Sequence, residues 1–279
     1  MRPAVKEPFS PAPQQNSFPM HLKSLLLLVS VTALASLPSS ASAQSVSLQL
    51  LSYSSAYQVH GKVDNGITSR EADVFATLQH LSAISWTPAQ AGDPATLDLF
   101  CVELGQLAPL SATSYTLLPL ASADSAPNDT FETIAGVGAA GIGGLRAQNL
   151  SLLYGYEFSS GYTPLSLSAL NQAAFQLAVW KLSHDDNFNH VDVLAGSYFS
   201  ASNNAALISA TNALLDGVVA NAGNFSAMSL NVLHSDTGQD YILPTLVYTP
   251  IPEPSTYAAI LGALVLGVVT FRRRQSGVA

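Results

Sequence analysis

The stretch Ala174-Phe175-Gln176-Leu177-Ala178-Val179-Trp180-Lys181-Leu182 places a glutamine among apolar residues on every side of a predicted helix. A helix that is apolar all round is normally buried inside a protein. A buried primary amide without hydrogen-bond partners costs about 1–3 kcal/mol, so Gln176 is either well bonded or no longer a free amide. The stretch therefore predicts a core helix whose glutamine has a specific task.

The second important stretch is Leu99-Phe100-Cys101-Val102-Glu103, which reads as a strand and holds the only cysteine of the chain. A cysteine thiolate can attack the side-chain carbonyl of a glutamine and expel ammonia, which leaves an internal thioester. The thioester is an activated acyl group that an amine on another molecule can capture as an amide. We therefore predict that the fold brings Cys101 and Gln176 together.

These two stretches resemble the paired signatures of the thioester domains of bacterial surface adhesins. The first signature is an aromatic residue, the cysteine, an apolar residue and an acid, here Phe100-Cys101-Val102-Glu103. The second is Gln-x-Ala-apolar-Trp, here Gln176-Leu177-Ala178-Val179-Trp180. That family often has threonine or a β-branched residue before the glutamine, where this chain has Phe175.

The resemblance implies covalent attachment to an amine-bearing partner, with Cys101 as the leaving thiolate and Gln176 as the acyl donor. Trp180, one turn beyond Gln176 on the same helix face, could shield the bond from water. Glu103 would share the face of the cysteine and could orient the strand or take a proton. Such a protein acts once per molecule, so we expect no turnover enzyme and no cofactor. The supporting residues are Phe100, Glu103, Ala178 and Trp180.

Composition limits the possible partners. Between residues 44 and 251, sixteen acidic residues stand against four basic ones, so this part carries a net charge of −12. Such a charge repels nucleic acid and anionic membrane surfaces. A single cysteine excludes an internal disulfide and a cysteine-based zinc cage. The acidic loops Asp185-Asp186-Asn187 and Asp236 to Asp240 lack EF-hand spacing, so we predict no metal site.

Residues 1–43 are predicted to be an N-terminal extension followed by a secretory signal peptide. Met20 is the more natural start, because a basic lead-in and an apolar run from Ser24 to Leu37 follow it. Ala41-Ser42-Ala43 is a typical site for signal peptidase, which places the mature start near Gln44. The apolar run is shorter than the roughly 20 residues of a membrane span.

In residues 251–279, Pro252-Glu253-Pro254 precedes an apolar run from Tyr257 to Phe271, and Arg272-Arg273-Arg274 follows it. This order is similar to the PEP-CTERM sorting signal of Gram-negative bacteria that make exopolysaccharide. The resemblance implies a transient inner-membrane anchor with a cytoplasmic basic end. An exosortase-like enzyme would then release the domain to the envelope, cell surface or extracellular matrix. The alternative is an ordinary C-terminal membrane anchor.

The region between these signals, residues 44–250, is predicted to be one α+β domain. Strands at both ends with helices between them indicate an antiparallel sheet or barrel-like core with an inserted helical subdomain. Asp64-Asn65-Gly66 predicts a hairpin turn, and residues 121–144 predict a loop. Strands are expected at Ser45–Leu50, Ala56–Val63, Ala95–Glu103, Ser114–Leu120, Ser229–His234 and Tyr241–Thr249. Helices are expected at Arg70–Leu81, at Leu145–Phe158, from an N-cap at Ser168 to about His184, and at Ala205–Val219.

Two other classes of function remain open. In a passive matrix or coat protein associated with exopolysaccharide, Cys101 is a small buried hydrophobe and Gln176 a satisfied core amide. In a cysteine hydrolase, Cys101 is the nucleophile and needs a histidine base and an aspartate that orients it. The candidates for those two roles are His184 or His190, and Asp185 or Asp192. Lys181 is expected at the surface, or as an internal target of the thioester.

Overall fold

The described part of the chain contains two antiparallel sheets and three α-helices, which confirms the predicted α+β class with a barrel-like core. The structure is a computed structural model and describes residues 44–64, 69–89, 92–104, 108–122, 142–193 and 198–245. The predicted signal peptide, the Asn65-Gly66 turn, most of the predicted loop at 121–144 and the sorting signal lie outside these residues.

Six of the described strands form a closed barrel. They are β1 (Ser45–Tyr53), β4 (Gln79–Thr87), β5 (Thr96–Cys101), β6 (Thr113–Pro119), β8 (Leu230–His234) and β9 (Tyr241–Pro244). The order around the barrel is β1-β4-β5-β9-β8-β6, and β6 pairs with β1 to close it. In β1, the buried Val46 and Leu48 alternate with half-buried serines, which is the period of two that the sequence shows.

The second sheet has the strand order β3-β2-β7, with β2 (Tyr57–Asp64), β3 (Ser69–Ala76) and β7 (Phe199–Ser202). The helices are α1 (Gly143–Glu157), α2 (Ala169–His184) and α3 (Ala205–Ala220). All three lie between β6 and β8 in the chain, as expected for a helical insertion in a β core. None of the helices within the described ranges is long and apolar enough to cross a membrane.

The predicted helix at Arg70–Leu81 is wrong, because this segment forms β3 and the start of β4. Val74 and Ala76 are buried and alternate with exposed residues, so the period is two rather than 3.6. In the pairing of β3 with β2, Asp73 lies opposite His60 and Glu71 lies opposite Lys62. The Lys62–Glu71 ion pair and the His60–Asp73 contact favour the strand. Strands β4 and β7 were not predicted.

Helix α2 confirms the predicted core helix. The Ser168 hydroxyl accepts a hydrogen bond from the backbone N–H of Asn171 at 3.2 Å, as predicted for its N-cap. Every residue from Gln172 to His184 is buried. The helix contacts β5 of the barrel, β3 and β7 of the second sheet, and both other helices. This central position explains why no face of α2 is polar.

Candidate functional site: the Cys101–Gln176 pair

Strand β5 extends beyond the end of its neighbour β4, and the overhang carries the cysteine. The pairing ends at Leu99, which lies opposite Gln79, the first residue of β4. On its other side, β5 continues along β9, with Cys101 opposite Tyr241 and the Val102 N–H bonded to the Asp240 carbonyl at 2.9 Å. The backbone N–H and C=O of Cys101 therefore point to the side where β4 has ended.

Gln176 takes the place of the missing strand. Its Oε1 accepts a hydrogen bond from the Cys101 N–H at 2.9 Å, and its Nε2 donates to the Cys101 carbonyl at 2.8 Å. Gln176 is 0% exposed and Cys101 is 2% exposed. The two stretches singled out in the sequence thus meet in the core, as predicted.

The same geometry brings the thiol close to the amide. Cys101 Sγ lies 3.3 Å from Gln176 Oε1. Because a C=O bond is about 1.2 Å long, the carbonyl carbon lies no more than about 4.5 Å from the sulfur. The Cys101 N–H on Oε1 polarises the carbonyl and occupies the place of an oxyanion-hole donor.

Two further residues of α2 continue this contact along the chain. Trp180 Nε1 donates to the Glu103 carbonyl at 3.1 Å, and Ser183 Oγ donates to the Val102 carbonyl at 3.2 Å. Gln176, Trp180 and Ser183 share one helix face because they are spaced by four and three residues. We call these three residues the α2 clamp. The predicted shared face of Gln176 and Trp180 is confirmed.

Aromatic rings lie around the pair, and Phe175 is one of them. The Phe175 ring packs against Phe100 at a centroid distance of 4.7 Å, which joins the two signature stretches directly. It also contacts Tyr154 at 4.9 Å and Phe158 at 5.0 Å. Ala178 is fully buried on the same helix. Phe175 therefore packs in an aromatic cluster next to Cys101 and Gln176.

Glu103 makes hydrogen bonds to the segment that leads into β9. It is buried, and its Oε2 accepts the backbone N–H of Asp240 at 2.9 Å. Its carbonyl accepts a second bond, from Gln239 Nε2 at 3.0 Å, in addition to that from Trp180. Glu103 thus fixes the overhang of β5 against the start of β9.

A chain of buried amides that sequence reasoning missed supports this arrangement. Gln79 Nε2 donates to Gln239 Oε1 at 2.7 Å, and the Tyr241 hydroxyl donates to Gln79 Oε1 at 2.7 Å. The burial of these glutamines is visible only in the structure, and Gln79 was missed because it fell in the wrongly predicted helix.

The site is buried, which makes it a low-dielectric environment. Burial raises the pKa of Tyr154 and of Tyr241 well above the ordinary value of 10.0, and the Cys101 side chain adds to both shifts. The Tyr154 and Tyr241 hydroxyls therefore remain protonated at neutral pH.

The alternative hydrolase residues have other partners. His184 Nδ1 lies 2.8 Å from the Trp180 carbonyl and 3.0 Å from Ser183 Oγ. His190 Nε2 lies 3.0 Å from a carboxylate oxygen of Asp216, and Asp192 accepts a bond from Asn212 at 2.8 Å. These contacts do not assemble a base and an orienting acid around Cys101.

Lys181 is not at the surface, which corrects that expectation. It is 0% exposed, and its Nζ lies 2.5 Å from Asp185 Oδ2 and 3.1 Å from the Phe199 carbonyl. The Asp185 carboxylate also accepts the backbone N–H groups of Tyr198 and Phe199. Burial lowers the pKa of Lys181, against the opposing effect of Asp185. The pair fastens α2 to β7.

Comparisons with protein-family models, with curated proteins and with solved structures found no match for this chain. What the site can do therefore follows from its own residues and their geometry.

Proposed function

We propose that Cys101 and Gln176 form an internal thioester, through which the exported protein attaches covalently to an amine-bearing partner. The observation that carries this proposal is the distance of 3.3 Å between Cys101 Sγ and Gln176 Oε1, in a site where both residues are buried. A strand overhang and a helix from distant parts of the chain supply the two groups.

Thioester formation is a balanced acyl transfer. The sulfur attacks the side-chain carbonyl carbon of Gln176, and the negative charge that develops on Oε1 is stabilised by the Cys101 N–H. The C–N bond then breaks, the nitrogen takes up the thiol proton, and ammonia leaves. Nε2 is already held by the Cys101 carbonyl at 2.8 Å, which fixes the amide for attack.

Capture of the partner reverses the roles of the same groups. The nitrogen of a primary amine attacks the acyl carbon, the C–S bond breaks, and an amine proton returns to the sulfur. The products are a stable amide on the side chain of residue 176 and a free Cys101 thiol. The buried walls around the pair slow the competing hydrolysis before a partner arrives.

The place of action is also a proposal, supported by residues 1–43 and 251–279. Their order resembles a secretory signal and a PEP-CTERM sorting signal, so signal peptidase and an exosortase-like enzyme would process the chain. The protein would then act at the surface or in the extracellular matrix of a Gram-negative cell.

The intact mass of the purified protein, with and without methylamine, tests the thioester. We expect a mass one ammonia below that of the sequence, and addition of one methylamine at Gln176 after treatment. A small amine is the appropriate probe because the site is closed. Gln172 is the internal control, since it is a buried glutamine one turn earlier whose Nε2 bonds to the carbonyls of Pro164 and Leu167 instead.

Cys101→Ala separates the chemistry from the fold. This variant keeps the backbone groups that Gln176 binds, so the domain should fold, show the full sequence mass and take up no methylamine. Methylamine on Gln176 in the absence of the thiol would overturn the mechanism.

A passive matrix or coat protein is the second candidate, and one observation favours it. Both polar atoms of the Gln176 amide already have backbone partners, so the amide is satisfied without any reaction. This candidate predicts the full sequence mass and a Cys101 that an alkylating reagent modifies once the protein is unfolded.

A further inference from the structure

Three polar side chains at the barrel, outside the Cys101 site, contact one another in a row. Ser54 Oγ lies 3.4 Å from His80 Nε2, and His80 Nδ1 lies 2.5 Å from Asp98 Oδ1. The side chains of His80 and Asp98 are 24% and 30% exposed, so a molecule in solution can reach them.

The order of these contacts, hydroxyl to imidazole to carboxylate, is that of a nucleophile, a general base and an orienting acid. In the tautomer that carries its proton on Nδ1, His80 donates to Asp98. Nε2 of that tautomer accepts, and the Ser54 hydroxyl donates to it. A hydroxyl that donates to an oriented imidazole is an activated nucleophile, and the Oγ to Nε2 distance is often long before substrate binds.

The fold holds each member of this group in place. His80 and Asp98 are direct partners in the register of β4 and β5. The Ser54 N–H donates to the Leu78 carbonyl at 2.9 Å, and Thr77 Oγ1 donates to the Ser54 carbonyl at 2.9 Å. The hydroxyl, the imidazole and the carboxylate are thus supplied by β1's end and two neighbouring strands.

We propose that Ser54, His80 and Asp98 form a second reactive site, in which the serine hydrolyses small uncharged acyl esters. Ser54 and His80 are the catalytic residues, and Asp98 is a positioning residue. The domain's net charge of −12 disfavours anionic esters, which is why the substrate class is uncharged. This inference is independent of the thioester.

The reaction balances with water as the only co-reactant. Ser54 Oγ attacks the ester carbon, its proton passes to His80 Nε2, and the C–O bond breaks as the alcohol takes that proton. Water then attacks the acyl-serine, gives its proton to His80, and the proton returns to Ser54 as the acid leaves.

The test uses the full-length chain with a fluorophosphonate probe and with p-nitrophenyl acetate. We expect one fluorophosphonate adduct, mapped by peptide mass to Ser54, and turnover of the ester. His80→Gln should slow both by about 100-fold or more, the usual share of a general base. His80→Ala should be partly rescued by added imidazole, which a purely structural role would not allow.

Two further variants complete the test. Asp98→Asn should slow labelling, and Asp98→Glu should restore part of the rate. His60→Gln is the matched control, because His60 also contacts two acidic side chains but, among the residues that the structure describes, no serine hydroxyl. Absence of an adduct on Ser54, labelling that is unchanged in His80→Gln, or an adduct without ester turnover would each overturn the proposal.

Discussion

Helix α2 contacts the barrel on one face and the second sheet on another. The first contact uses uncharged side chains, and the second uses an ion pair. On the barrel side, the α2 clamp bonds backbone groups of residues 101–103 with uncharged side chains. On the sheet side, Lys181 and Asp185 form a buried ion pair that binds backbone groups at Phe199. Both contacts satisfy buried polar groups.

The difference shows which of the two contacts can react. A carboxamide whose oxygen accepts an N–H bond keeps an uncharged, polarised carbonyl that a nucleophile can attack. A carboxylate has a less electrophilic carbonyl carbon than a carboxamide and resists attack. Acyl transfer is therefore open to Gln176 and closed to Asp185, although both are equally buried.

The largest effect is expected for Cys101→Ala. A thioester between Cys101 and Gln176 closes a loop across 75 residues of sequence, which stabilises the fold by about 4 kcal/mol in the chain-entropy model. We therefore expect the free energy of unfolding in urea to fall by about that amount. A loss of only about 1 kcal/mol, as for trimming a small buried side chain, would mean that the loop is not closed.

Lys181→Met should have the next largest effect on the free energy of unfolding, through the contact between α2 and the second sheet. It leaves the Asp185 carboxylate buried without its ammonium partner, which costs about 3 kcal/mol. The double variant Lys181→Met/Asp185→Asn removes both charges, keeps an acceptor oxygen and should recover at least half of the loss. Urea denaturation measures the coupling, and additive losses would contradict the ion-pair account.

In Lys181→Met, the intact mass should still be one ammonia below that of the sequence. Loss of the thioester together with the ion pair would show that the two faces of α2 are not independent.

Alkaline pH acts on the surroundings of Cys101 through Tyr154 and Tyr241. Burial raises both pKa values above the ordinary 10.0 of the unfolded chain, so their contribution to stability is complete below pH 10. Above pH 10 the unfolded state loses these protons first, and stability falls by about 1.4 kcal/mol per pH unit for each phenol. Tyrosinate absorbance and circular dichroism should therefore change together. Ionisation of these phenols in the folded protein would contradict their burial.

Sequence reasoning found the barrel-like class and the Cys101–Gln176 contact because each has a local signal. A mainly apolar stretch with one amide, at residues 174–182, and a strand with one thiol are visible without knowing what lies between them. Strands β3 and β4, which belong to different sheets, were missed because Arg70 and Glu71 favour a helix locally. Strand β3 depends on partners in β2, such as His60 and Lys62.

Long-range pairings explain the remaining misses. Lys181 was assigned to the surface because lysine is rarely buried, and only the fold brings Asp185 and the Phe199 carbonyl to its Nζ. The group of Ser54, His80 and Asp98 has no spacing rule, since Ser54 follows β1 while His80 and Asp98 lie in β4 and β5. Side chains that meet only through strand register cannot be read from one sequence.

The smallest effect is expected for Trp180→Phe, and it isolates the clamp from the reaction. The change removes one hydrogen bond to the Glu103 carbonyl, which keeps its bond from Gln239, so we expect a loss of about 1 kcal/mol in urea denaturation. Cys101 and Gln176 keep their mutual contacts, so the mass should remain one ammonia below that of the sequence. If the thioester instead hydrolyses faster in Trp180→Phe, the indole also excludes water. A full sequence mass immediately after purification would mean that Trp180 is needed to place the reacting pair.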